Sequence, residues 1–126
     1  MPYELRNRNV LVTGGSRGLG AVICQRFAQE GANVMINYVS SAENASIVAK
    51  HVETYGVKAF IVQGDTGILH DNIRIVQETL EKLGGLDIIV ANAGWTKVCD
   101  FKDLNAMSEE EWNKVCFLPC AAEALF

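Results

Sequence analysis

Three glycines set between an apolar run and an amphipathic one restrict this chain to few folds. Asn9-Val10-Leu11-Val12 reads as a short buried strand. It runs into Thr13-Gly14-Gly15-Ser16-Arg17-Gly18-Leu19-Gly20, after which apolar residues recur at helical spacing. Gly14 permits a sharp turn, Gly18 lets backbone approach a phosphate, and Gly20 lets the helix pack closely against the strand. The first amides of such a helix lack intrahelical partners and carry the positive end of its dipole. Gly14, Ser16, Arg17, Gly18, Leu19 and Gly20 are therefore candidates to hold a pyrophosphate. A tight turn without a ligand is the competing reading. A glycine triplet alone does not separate the two, but a strand before it and a helix after it favour the phosphate.

The rest of the chain repeats the alternation. The spacing predicts helices over 17–30, 41–55 and 70–83, closed by Gly31, Gly56 and Gly84-Gly85. Their expected apolar faces are Leu19, Ile23 and Phe27; Ala45, Val48, Val52 and Tyr55; and Ile73, Val76, Leu80 and Leu83. Strands are expected at 34–36, 59–62 and 86–91. Continuous apolar strands separated by amphipathic helices imply a parallel sheet covered on both faces, and right-handed crossovers make it a doubly wound α/β fold of the Rossmann type. Farther on, Ser108 and Glu111 have the spacing of a capping box opening a helix at Trp112. Residues 116–126 show no strand pattern, and Pro119 interrupts that helix.

Bulk properties narrow the function. At 126 residues the chain is one modest domain, and its net charge of −4 comes without a basic run, which argues against nucleic acid or anionic membrane as partners. No apolar stretch reaches a membrane span, and Met1-Pro2-Tyr3-Glu4-Leu5-Arg6 lacks the core of a signal peptide, so a cytoplasmic protein is expected. Cys24, Cys99, Cys116 and Cys120 form no CxxC pair and lie far from His51 and His70, so reduced structural thiols are expected and no metal site.

The spacing Thr-Gly-x3-Gly-x-Gly resembles the cofactor motif of short-chain dehydrogenases/reductases. Further segments fit that family in order: Asp65-Thr66 after the third strand, Asn92-Ala93-Gly94 after the fourth, with Ala91 where the family's first Asn stands, and Glu111-Trp112-Asn113-Lys114-Val115. The resemblance runs from about residue 5 to 115, and its wording is closest to 3-oxoacyl-(acyl carrier protein) reductases and related sugar or polyol reductases. It implies a dinucleotide cofactor and hydride transfer between a small carbonyl or alcohol and the nicotinamide. It further implies adenine contact at Asp65 and Thr66, and a sheet-steadying role beside the cofactor for Asn92, Ala93 and Gly94. Asp65 also suits a plain Asx turn.

Strand register places Tyr38 where relatives that prefer NAD carry Asp, and no carboxylate follows until Glu43. Arg17, Tyr38, Ser40 and Ser41 are thus assigned to the ribose end. A guanidinium suits a 2′-phosphate, so NADP(H) is preferred, with NAD(H) the alternative.

The chain departs from the family in its second half. The family's general acid/base is the Tyr of Tyr-x3-Lys, but Tyr3, Tyr38 and Tyr55 are followed four residues later by Asn7, Ala42 and Ala59. The family's Asn on the next helix falls at Pro119. No catalytic residue is therefore assigned. The expectation is an NAD(P)-binding half-domain over 1–115, truncated after the fourth strand and following helix, with an aberrant tail over 116–126. Val115-Cys116 is encodable by the splice-donor sequence GTATGT, which points to a retained intron. The family's homo-oligomer is doubtful for such a chain, and an exposed Ile88-Ile89-Val90 edge makes it prone to aggregate. Trp95, Thr96 and Lys97 either border a nicotinamide pocket or are plain loop residues.

Overall fold

The computed structural model describes residues 3–115. Its elements run β1 (Asn9–Val12), α1 (Gly18–Gln29), β2 (Asn33–Tyr38), α2 (Ala42–Glu53), β3 (Ala59–Gln63), α3 (Leu69–Leu83) and β4 (Ile88–Val90). Residues 109–115 are also helical. The tail at 116–126 and the expectations attached to Pro119 lie outside the described residues. No helix among the described residues is long and apolar enough to cross a membrane.

The sheet is parallel throughout, in the order β3-β2-β1-β4. Val10, Leu11 and Val12 pair with Val34, Met35 and Ile36 on one side and with Ile88, Ile89 and Val90 on the other. The strand alternation sorts side chains to opposite faces. Val10, Val12, Val34 and Ile36 meet Cys24 and Ala28 of α1 and Ala45, Val48, Ala49 and Val52 of α2. Leu11, Met35 and Val62 meet Ile75 and Leu83 of α3. One face thus carries two helices and the other carries α3, the doubly wound arrangement expected from the sequence.

Two helix faces differ from expectation. The buried residues of α1 are Gly20, Cys24 and Ala28, one position on from the expected stripe; Leu19 is 69% exposed, while Ile23 and Phe27 only flank the core. The cause is close approach: the helix turns small side chains to the sheet, so the larger apolar ones mark its rim. In α3 the buried residues are Asn72, Ile75, Thr79 and Leu83, whereas Ile73 and Leu80 are exposed. Asn72 and Thr79 tolerate burial because each bonds a carbonyl, Asn72 Nδ2 to Thr66 at 2.9 Å and Thr79 Oγ1 to Ile75 at 2.7 Å. In α2, Ala45, Val48 and Val52 face the core as expected, but Tyr55 lies beyond the helix end.

Candidate functional site

In the order β3-β2-β1-β4 the chain leaves β1 toward β2 on one side and returns from β3 to β4 on the other. The strand order therefore reverses between β1 and β4. Open parallel sheets bind ligands at the carboxyl ends of the strands at such a switch point, because the flanking loops diverge there and leave a crevice. Here those ends are Thr13–Gly15 and Asn92–Gly94.

Side-chain hydrogen bonds tie the two segments together. Thr13 Oγ1 accepts from the amides of Asn92 and Ala93, both at 3.0 Å. Asn92 Nδ2 donates back to the carbonyls of Thr13 and Gly14 at 3.1 and 3.2 Å. Thr13 is buried, so these bonds form where water does not compete. On the other flank, Gly14 N–H donates to Asn37 Oδ1 at 3.2 Å and Gly15 N–H to the Asn37 carbonyl at 2.8 Å. The glycine turn is thus held from both neighbouring strands.

The glycines fill distinct roles. Gly14 has φ +62, a conformation that strains any side chain, and a Cβ there would lie 3.1 Å from Ala93 Cα. A Cβ on Gly20 would run into the Gly14 carbonyl and lie 2.7 Å from Asn92 Nδ2, so Gly20 seats α1 against the turn itself rather than against the strand. Gly18 differs: its φ is +57, and a Cβ would meet nothing within 4 Å. Space therefore opens where α1 begins. Arg17, the N-cap residue, makes no side-chain cap bond, and no acidic residue stands in the first turn. The helix end keeps its positive field and its amide donors.

A cleft of about 280 Å³ opens at this point. It is lined by Gly14, Ser16, Arg17, Tyr38, Val39, Ser40, Ser41, Asn92, Ala93 and Gly94. Gly18, Leu19, Gly20, Asp65 and Thr66, the remaining candidates, do not line it. Asp65 Oδ1 accepts the Gly67 amide at 2.8 Å, closing an Asx turn, and its own amide donates to Asp71 Oδ2 at 2.9 Å. Thr66 is buried. Asn37 and Val39 were not singled out from the sequence, and Thr13 was read only as the opening residue of the glycine motif. Asn37 carried only a weak sign, an amide directly after the apolar run Val34-Met35-Ile36.

Other titratable groups stand apart from the cleft. Burial pushes the Cys24 thiol up to about 12, which makes it a packing residue rather than a nucleophile. Trp95 and Lys97 are engaged with the helix at 109–115: Lys97 Nζ pairs with Glu111 at 2.8 and 3.0 Å, and Lys114 Nζ lies 4.8 Å from the centre of the Trp95 ring. The ion pair with Lys97, aided by the Ser108 amide, holds the Glu111 carboxyl below its ordinary range.

Comparison with known proteins gives the same fold and family. The chain is 38% identical over 114 residues to the short-chain dehydrogenase/reductase FrzI of Cladobotryum sp, covering 90% of this chain and 43% of that protein. It is 36% identical over 109 residues to the 3-oxoacyl-[acyl-carrier-protein] reductase FabG of Staphylococcus epidermidis, covering 86% and 43%. A short chain dehydrogenase from Burkholderia cenocepacia J2315, solved in complex with NADP, superposes with a TM-score of 0.82 at 33% identity, covering 97% of this chain and 52% of that one. The chain thus spans about half the length of the relatives it matches. The family model for short chain dehydrogenases matches residues 8–120. With that match spanning the glycine turn, all four strands and the Asn92-Ala93-Gly94 segment, the chain belongs to the short-chain dehydrogenase family.

Proposed function

We propose that this chain holds a dinucleotide at the switch point, NADP(H) in preference to NAD(H), for an oxidoreductase that interconverts small carbonyls and alcohols. The observation that carries the reading is the open start of α1. Gly18 presents no side chain and a Cβ there would meet nothing within 4 Å, and the helix N-terminus lacks both a side-chain cap and an acidic first turn. Uncapped amides beside an empty space fit a pyrophosphate. Gly14, Ser16, Gly18, Leu19 and Gly20 supply that cradle.

Arg17, Tyr38, Ser40 and Ser41 line the same cleft and take the adenosine ribose. Among the described residues Arg17 enters no ion pair, which leaves its guanidinium for a 2′-phosphate. The NADP in the Burkholderia cenocepacia relative supports that choice. Asp65 and Thr66 take the adenine end, with one Asp65 oxygen already committed to the Gly67 amide. Asn92, Ala93 and Gly94 wall the centre of the crevice. Residues 1–115 form the binding half-domain.

When bound, the cofactor supplies the hydride. This chain's residues bind and orient it; with no Tyr-x3-Lys in the sequence they present no paired acid/base to a carbonyl. A positioned acid/base contributes a factor of about 10² to 10⁴, so the isolated chain binds dinucleotide without measurable turnover.

Fluorescence titration with NADPH and NADH tests the reading. NADPH is expected to bind more tightly. Arg17→Ala is expected to weaken NADPH by about tenfold, or about 1.4 kcal/mol, and NADH little. Tighter binding of NADH by the wild-type chain refutes the preference. Carbonyl-dependent loss of nicotinamide absorbance refutes the absence of turnover.

A further inference from the structure

Asn37 is the one fully buried amide side chain in β2, with 0% of its surface exposed. The strand is otherwise apolar through Val34, Met35 and Ile36. Buried polar groups persist only when their bonds are made, and both polar atoms of this side chain are bonded. Oδ1 accepts the Gly14 amide at 3.2 Å. Nδ2 donates to the Val62 carbonyl at 3.3 Å and the Gly64 carbonyl at 3.1 Å. The amide orientation follows from chemistry alone, since an N–H requires the oxygen and two carbonyls require the nitrogen. The main-chain carbonyl of Asn37 also takes the Gly15 amide at 2.8 Å.

The consequence lies in what these bonds connect. Val62 and Gly64 flank the end of β3, one residue before Asp65. Gly14 and Gly15 are the turn after β1, and Asn37 itself precedes Tyr38 at the end of β2. A single side chain therefore joins the three segments to which phosphate, ribose and adenine contacts are assigned. Gly14 sits at φ +62, and the hydrogen bond from its amide to Asn37 fixes that one of the conformations open to glycine.

We infer that Asn37 is the positioning residue of the dinucleotide site, setting the glycine turn relative to the ends of β2 and β3. The inference rests on the proposed dinucleotide binding. It also accounts for the residue type. A carboxylate at 37 would face two carbonyl oxygens, and an apolar residue would orphan the Gly14 amide.

Asn33 supplies an internal control. It lies at the opposite end of β2 and bridges strands in the same manner: its Nδ2 donates to Asn9 Oδ1 at 3.0 Å, and its Oδ1 accepts the Lys58 amide at 3.0 Å. It lines no part of the cleft. Both asparagines contribute to the sheet, but only Asn37 reaches the turn.

The test compares the 126-residue chain with its Asn37→Ala, Asn37→Asp and Asn33→Ala variants, reading the Kd for NADPH and the hydrogen-exchange rate of the Gly14 amide. Both Asn37 variants are expected to bind NADPH at least about tenfold more weakly, and Asn37→Ala, which removes the acceptor, is expected to exchange Gly14 at least about tenfold faster. Asn33→Ala is expected to stay within about twofold on both, even where its melting temperature falls as far. Asn37→Asp keeps the side-chain volume and decides the matter if the alanine variant does not fold. Binding that is unchanged in the Asn37 variants, or weakened equally in Asn33→Ala, overturns the inference. If the wild-type chain fails to bind NADPH, the proposed function falls. The Gly14 exchange rate then decides alone: faster exchange in Asn37→Ala, or in Asn37→Leu where the alanine variant does not fold, sustains the positioning role, and an unchanged rate removes it.

Discussion

Gly20 has no room for one methyl group. A Cβ there meets the Gly14 carbonyl and Asn92 Nδ2, the atoms that fix the turn, and backbone cannot yield as a flexible side chain does. Gly20→Ala is therefore expected to destabilise the chain by about 3 kcal/mol, at the upper end of overpacking costs. Gly18→Ala, with open space around it, pays only for its positive φ, about 1 kcal/mol. Melting curves of the two variants check this ordering, and equal losses contradict it. The three glycines were legible in the sequence because each position disfavours a side chain, Gly14 and Gly18 through positive φ and Gly20 through close contact. Asn37 was not, since a buried amide is recognised by its partners, and those lie on strands distant in sequence. Asp65 was legible only as two alternatives. The structure shows the Asx turn, and the adenine role stands beside it as a proposal.

At the level of elements, strand and helix order followed directly from hydrophobic period, but helix rotation did not. In α1 the buried residues are small ones, Gly20, Cys24 and Ala28, so hydrophobic bulk pointed one position away. In α3, Asn72 and Thr79 are buried by bonds to carbonyls that no periodicity reveals. The capping box, being wholly local, was read correctly. Ser108 N–H donates to Glu111 Oε2 at 2.8 Å, and Glu111 N–H to Ser108 Oγ at 3.2 Å. That box depends on charge. The folded carboxyl of Glu111 titrates below its unfolded value, so its contribution is present above the unfolded pKa and is lost as pH falls through the folded one. The protection of the Ser108 amide, relative to its intrinsic exchange rate at each pH, is expected to fall over that acidic window, and Glu111→Gln is expected to abolish the change. A Ser108 amide indifferent to acid contradicts the box.

For the whole molecule, the doubly wound parallel sheet was inferable from the handedness of crossovers, while the strand order and its switch point came from the structure. The open edge at β4 was expected from the sequence, though Ile88, Ile89 and Val90 are half-buried rather than exposed; the uneven cover of the two sheet faces was not. α1 and α2 overlay one face, while on the other α3 leaves Leu69, Ile73 and Leu80 exposed, and β4 pairs only with β1 among the described residues. Apolar surface beside an open sheet edge favours association. The isolated chain is therefore expected to elute from gel filtration as self-associated species, to a greater extent at higher concentration. A concentration-independent monomer contradicts this. Everything proposed about function converges on the amides where α1 opens. The most direct test is an amide-resolved NMR titration of the folded chain with NADPH, following Gly14 through Gly20. The account predicts saturable shifts concentrated on the Gly18, Leu19 and Gly20 amides. Saturating NADPH that leaves those resonances unmoved in folded protein would contradict it.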